Sequence, residues 1–332
     1  MELQESLKFG YRIAEIYEVL HYTNRSSDMF RGYINSWLKI KQEASGWPAN
    51  CVTDEQKDDY IRRYEEKEGI LLEKDKIESN PGKRSIAKLM LNSFWGKLSQ
   101  RPNLPQVKIC KEYHEYWSLG EDEEIEITGE FSPNEKTIIV CYQLKDDEQA
   151  DPGNTSIAIA SFVTSYARLH LYKFINMVQQ IGSDRLLYFD TDSIIFVRQP
   201  GDPEIETGDY LGDLTNELPD GAKCTRFVSG GPKNYAYQYT LSDGSSKTVI
   251  KTKGMRHNCK TLQMFNIDIM ESIVKDYAES GGMSTRSTRL PQTIFKSSWK
   301  THDVQTLNME KIYRAVADKK RILGNETRPF GF

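Results

Sequence analysis

The stretch Leu186–Val197, LLYFDTDSIIFV, sets two apolar, β-prone runs, Leu186 to Phe189 and Ile194 to Val197, around four polar residues. That pattern predicts a hairpin with Asp190, Thr191, Asp192 and Ser193 at its tip. Acids at a turn have a plain explanation, since Asp and Ser side chains bond nearby backbone amides. They also have a chemical one. Closely spaced carboxylates on rigid strands are hard oxygen ligands for Mg²⁺, an ion usually held by one or two carboxylates plus substrate phosphates. The hairpin alone does not choose between the two.

Two other segments bear on the choice. Ser85–Gln100, SIAKLMLNSFWGKLSQ, has Ile86, Met90 and Phe94 at helical spacing, which predicts a buried stripe. Its other side gathers Arg84, Lys88, Asn92 and Trp95 within about 80° of one another on an α-helix. Two cations, an amide and a flat ring on one face suit a nucleoside triphosphate: cations for the phosphates, a ring for sugar or base. Farther on, GPKNYAYQYT and KTVIKTKGMRHN mix lysines with aromatics, as a grip on a nucleic-acid backbone requires. Together with a carboxylate pair these describe a template-directed nucleotidyl transferase, in which two ions about 3.5–4 Å apart lower the charge on an attacking hydroxyl and on leaving pyrophosphate.

Composition is compatible. The 332 residues suffice for two or three domains with a sizeable core. The net charge of −4 conceals an uneven distribution: residues 111–150 carry twelve acids against three bases, whereas residues 232–260 carry six Lys/Arg against one acid, Asp243. Local charge governs contact with phosphates, so the sum does not exclude DNA. With no run of 18 apolar residues and acids throughout the first twenty positions, the expectation is a soluble intracellular protein without membrane association. Cys51, Cys110, Cys141, Cys224 and Cys259 form no C-x-x-C pair, so reduced thiols are expected, not a zinc module or a disulfide framework.

Period and punctuation divide the chain. Residues 1–27 predict a strand (IYEVLHY) leading into a helix, DMFRGYINSWLKIK. Residues 42–80 read as a charged helical insertion closed by the turn signal NPG. Short β-prone runs follow from residue 102, then a strong helix, SIAIASFVTSYARLHLYKFINMVQQIG, stopped by Gly182.

On these residues a resemblance can be named. KLMLNSFWGKL resembles motif B, and YFDTDS motif C, of family B DNA polymerases, in order and at a separation of about a hundred residues. The chain looks most like the protein-primed branch of phages, linear plasmids and Maverick/Polinton transposons. FRGYINSWLKIK is similar to that branch's first fingers helix and PKNYAY to its Lys-x-Tyr motif, while KTKGM and the terminus DKKRILGNETRPFGF fit the transposon type. The resemblance implies that Lys41 and Lys88, assisted by Arg84, hold the incoming triphosphate, that Asn92 lies beside the nascent base pair, and that Asp192 and its companion Asp190 bind two Mg²⁺ ions. It implies that Lys233 and Tyr235 steady the primer terminus, with Lys251, Lys253, Gly254 and Arg256 along the duplex. Deoxynucleoside triphosphates, a DNA primer-template and a terminal priming protein are the implied partners, and the nucleus the implied location in a eukaryotic host.

Two departures stand out. Trp95 replaces the usual motif B tyrosine, keeping a flat ring but no phenol. Motif A, an Asp followed by a SLYP-like run, is nowhere in the sequence, nor are the exonuclease motifs. The resemblance therefore implies a C-terminal fragment beginning after motif A. Loss of one metal carboxylate should cost several kcal/mol of transition-state stabilisation, roughly 10³-fold in rate, so that the chain alone is inactive.

The expected fold is α+β: residues 1–27 a palm-side strand, 28–98 a fingers helical hairpin with insertion, 99–150 an acidic β-rich insertion, 151–258 a partial palm with an antiparallel sheet carrying the Asp-Thr-Asp hairpin, and 259–332 a small thumb. An incomplete palm should leave an exposed edge or apolar patch. The alternatives are a non-catalytic nucleic-acid-binding relic of a transposon polymerase, or a protein of unrelated function whose DTDS is only a turn.

Overall fold

The computed structural model describes residues 1–146, 151, 153–298, 303–316, 320–323 and 326–329. Helices mix with antiparallel sheets in two compact units, Met1–His170 with Tyr210–Gly212, and Leu171–Asp209 with Asp213–Phe332.

The first unit begins with the short helix α1 (Glu2–Lys8). Residues 11–26 have no regular secondary structure and are exposed, so the strand expected from IYEVLHY is not found. A strand is held by ladder bonds to a neighbour, and no described strand lies beside this one. Helices α2 (Arg31–Glu43) and α4 (Pro81–Leu98) pack together antiparallel: Tyr33 stacks on Phe94 at 4.4 Å and its hydroxyl donates to the Met90 carbonyl at 3.1 Å. Asn80 caps α4, its side chain accepting from the Lys83 amide, with Pro81 at the first helical position, where no N–H is needed.

Between them runs α3 (Asp54–Glu68), started by a Thr53–Gln56 capping box and ended by Gly69 at φ 67°. This stretch is highly charged, yet it closes a core: Leu38, Tyr64, Ile70, Leu72 and Ile77 are buried, with Leu91 of α4 against them. Each such side chain contributes about 1.5–3 kcal/mol. The stripe expected on α4 is rotated. Ala87 and Leu98 are buried and Ile86 is 57% exposed, because the partner of α4 is the α2 and α3 core, which takes the face one residue round. Strands β1 (Gln106–Cys110), β2 (Ile125–Asn134) and β3 (Thr137–Leu144), with α5 (Tyr113–Gly120) between the first two, form an antiparallel sheet in the order β1-β3-β2. Helix α6 (Ile157–Ile181) follows, ending before Gly182.

In the second unit β4 (Leu186–Asp190) and β5 (Ser193–Phe196) form a two-stranded hairpin whose last pair is Asp190 and Ser193. It is a separate ribbon and not part of one palm sheet as expected: β6 (Lys223–Gly231), β7 (Asn234–Thr240) and β8 (Ser246–Lys251) make their own three-stranded antiparallel sheet. The intervening residues 197–222 are irregular apart from one bridge, Thr207 to Leu214, and bring no further strand to the ribbon's edge. Leu187, Phe189 and Val197 remain exposed there.

One face of the β6–β8 sheet is covered by α8 (Ile267–Glu279), which follows the short α7 (Cys259–Met264). Val228 and Ala236 share a core with Phe265, Ile267, Met270, Ile273, Leu290, Tyr313 and Ala315, the last three from or beside the hairpin β9 (Thr288–Ser297) and β10 (Val304–Tyr313). This single core crosses the boundary expected at residue 258 and binds the thumb segment to the sheet. Gly230 belongs to the same packing, since a Cβ there would stand 2.7 Å from the Tyr313 hydroxyl. Toward the C-terminus β11 (Lys320–Leu323) pairs antiparallel with β12 (Glu326–Pro329). The rest of the terminal segment DKKRILGNETRPFGF, like the end of the acidic insertion, lies outside the described residues.

Candidate nucleotide and nucleic acid sites

In the first unit three cations meet across the α2–α4 pair. Arg84 donates through Nε to Ser45 Oγ at 3.0 Å, and Ser45 Oγ donates to the Lys41 carbonyl at 2.8 Å. Lys41 is half-buried. Burial, then the positive charges of Arg84 and Lys88, push its pKa below that of an ordinary lysine. Such a cluster disfavours its own charge and is relieved by a bound polyanion. Asn92 and Trp95 lie farther along α4, both exposed, Trp95 at 43%.

The second site begins at the β4–β5 tip. The Asp192 amide donates to the Asp190 carbonyl at 2.6 Å around Thr191, whose φ is 57°, the geometry of a strained three-residue turn. Between β6 and β7 the chain turns through Pro232 and Lys233, with Lys233 at φ 60°. Among the described residues these are the non-glycine positions of positive φ. A side chain in that region costs of order 1–3 kcal/mol, and such strain clusters where function over-determines geometry.

The two strained turns hold each other. Lys233 Nζ pairs with Asp190 Oδ2 at 2.7 Å, and the Lys233 amide donates to the Tyr188 hydroxyl at 2.9 Å. Tyr188 and Tyr235 rings lie 4.8 Å apart. The hydrogen bond from Lys233, and less strongly that from Thr191, keeps the Asp190 carboxyl below the usual carboxylate range, and Asp190 in return raises the Lys233 pKa. Asp192 is exposed at the tip.

Asp190, Lys233 and Tyr235 line a recess of about 410 Å³ with Ile250, Lys251, Thr252, Lys253, Met255 and His257. Asp192, Gly254 and Arg256 do not line it. The loop from Thr252 to His257 is braced on every side. The Lys253 amide donates to Asn234 Oδ1 at 2.9 Å, and Lys311 Nζ donates to the Gly254 carbonyl at 2.5 Å. Thr252 Oγ1 and His257 Nε2 are 2.6 Å apart. Buried Gln292 accepts from the Arg256 amide at 2.8 Å and donates to the Arg256 carbonyl at 3.0 Å. Burial lowers the His257 pKa. Tyr188, Asn234, His257 and Gln292 were not singled out by sequence. Tyr188 sits within YFDTDS and could have been noticed; Gln292, 36 positions from Arg256, gives no local signal.

The described residues contain no cluster of three or more His, Cys, Asp or Glu able to hold a metal by themselves. Two carboxylates at a hairpin tip do fit Mg²⁺ in the mode that completes its shell with substrate phosphates and water. No helix among the described residues is long and apolar enough to cross a membrane.

No solved structure matches the chain. A "Probable DNA polymerase" of Neurospora intermedia is 25% identical over 205 residues, which cover 60% of this chain and 19% of that protein, so the chain spans about a fifth of its relative's length. Residues 57–181, from α3 through α6, match the family described as DNA polymerase type B, organellar and viral.

Proposed function

We propose that this chain is the part of a DNA-directed DNA polymerase that binds the incoming deoxynucleoside triphosphate and the primer end, a family B enzyme of the protein-primed, transposon-like type. The observation that carries the reading is the meeting of Asp190 with Lys233 in one recess, although they stand 43 positions apart. That joins the carboxylate hairpin to the Lys-x-Tyr turn. Similarity to type B polymerases over residues 57–181, most of them in the first unit, supports it.

In this reading Lys41, Arg84 and Lys88 neutralise the triphosphate, with Asn92 and Trp95 beside its base and sugar. A bound polyanion would favour the charged form of Lys41, which burial and the neighbouring cations disfavour. Asp192 and Asp190 would hold Mg²⁺, which when bound stabilises charge on the attacking and leaving oxygens. Lys233 bridges from Asp190 towards a primer phosphate, and Tyr235 packs the terminal sugar or base. Lys251 at the end of β8, with Lys253 and Arg256 of the braced loop, would lie along the backbone, and Gly254, at φ 73°, lets that backbone approach closely. The terminal priming protein belongs to this reading as a partner.

Primer extension tests it. The purified 332-residue chain is expected to show none with Mg²⁺ and deoxynucleotides, since the reaction needs the carboxylate of motif A. Fusion to an upstream segment bearing that motif should produce extension, and Asp192→Ala in the fusion should abolish it. Full activity of the Asp192→Ala fusion would refute the assignment.

A further inference from the structure

We infer that the outer face of the β6–β7–β8 sheet is a binding platform for an unpaired DNA strand, formed by Tyr235, Tyr237 and Tyr239 with the lysines beside them. The inference rests on the nucleic-acid half of the proposed function and not on its chemistry. Alternation along β7 sets it up. Ala236 is fully buried against the α8 core, and Arg226, opposite Gln238, turns to the same side to pair with Asp268 and Glu271. The tyrosines at the intervening positions therefore face away from that core.

Their rings form a row. Tyr235 and Tyr237 centroids are 6.3 Å apart with planes at 14°, and Tyr237 and Tyr239 are 6.1 Å apart at 32°. Tyr188 extends the row past Tyr235, its ring 4.8 Å away. All are half-buried, so part of each ring remains open to solvent. Strand register sets Lys251 opposite Tyr235, Val249 opposite Tyr237 and Lys247 opposite Tyr239, with Phe227 flanking Tyr237 from β6. Residues directly opposite in an antiparallel pair share a face. None of these residues is acidic.

Aromatic rings in a row beside lysines are how single strands are held without sequence preference: each base has a π-face, and the cations take the phosphates. A plain apolar partner would leave Lys251 without counter-charge, while Lys247 has Asp243 near it. A duplex, its bases stacked internally, would offer the rings nothing to stack on. Glu217, before β6, is the acid whose charge bears on both Tyr235 and Tyr237, and it opposes a phosphate there.

Equilibrium binding of the full chain to a labelled oligo-dT, an abasic strand of equal length and a duplex decides the matter. Tyr237→Leu and Tyr239→Leu should each weaken dT binding about ten-fold, about 1.4 kcal/mol, within the range for one stacked base. Neither should alter abasic binding, and Tyr237→Phe should bind dT like the parent. Lys247→Ala should lower the salt slope by about 0.7, and Glu217→Gln should tighten binding. Equal losses by the Leu variants on dT, abasic strand and duplex, or a Tyr237→Phe variant as weak as Tyr237→Leu, would each overturn the platform. Unaltered dT binding by the Leu variants, beside primer extension that still depends on Asp192, would remove the platform and leave the proposed function standing.

Discussion

Gln292 offers the sharpest test of how the DNA-facing loop is held. Its amide satisfies both the N–H and the C=O of Arg256 while being only 6% exposed, and it also donates to the Pro291 carbonyl at 3.0 Å. Replacement by Ala removes these bonds, each worth about 1 kcal/mol net, and leaves the Arg256 backbone without its partners. The expected destabilisation is about 2–3 kcal/mol. Urea unfolding measures this, and because Gln292 belongs to the second unit, signals from that unit should shift while those from the first do not. The functional consequence is separate. A loosened loop no longer presents Arg256 to a phosphate, so the slope of log K against log salt on duplex DNA should fall by about 0.9, one contact. Gln292→Glu keeps an acceptor for the Arg256 amide but sets an acceptor against its carbonyl, and should lie between parent and Ala in both measurements. A stability loss below about 0.5 kcal/mol would refute the bonding argument. A full loss with an unchanged salt slope would show that the clamp serves only the fold.

Two further outcomes are expected. Thr191→Gly removes a side chain from a left-handed position, a gain of about 1 kcal/mol or more that offsets glycine's chain entropy and the lost Thr191–Asp190 hydrogen bond. Thermal unfolding should stay within about 1 kcal/mol of the parent, whereas Thr191→Pro, locked near φ −65°, should lose more than that; equal behaviour of the two variants would contradict the observed turn. Lys41 carries a depressed pKa, so the cost of its charge is fully present below that pKa and is relieved as pH rises through it towards the ordinary value of about 10.4. Binding of inorganic tripolyphosphate should accordingly weaken as pH rises through the same window, before ordinary lysines titrate, and Lys41→Met should bind less tightly with a flatter profile; an identical profile in that variant would place the titration elsewhere.

What the sequence determined was local. The Asn80–Pro81 start of α4, the long helix that stops at Gly182, the two apolar runs that became β4 and β5, and the polar face bearing Arg84, Lys88, Asn92 and Trp95 all depend on residues within a few positions of one another. Caps, turns and periodicity act over that range. Tertiary structure decided what those elements face. It turned α4 so that Ala87 is buried and Ile86 exposed, left IYEVLHY without a strand to pair with, and fused the sheet and α8 into one core across residue 258. It also chose the partners of the site: Lys233 for Asp190, Tyr188 for the Lys233 amide, Gln292 for Arg256. Such pairings join residues tens of positions apart, where no local preference acts, and they exist only because the tertiary fold holds two turns and a loop within hydrogen-bonding distance.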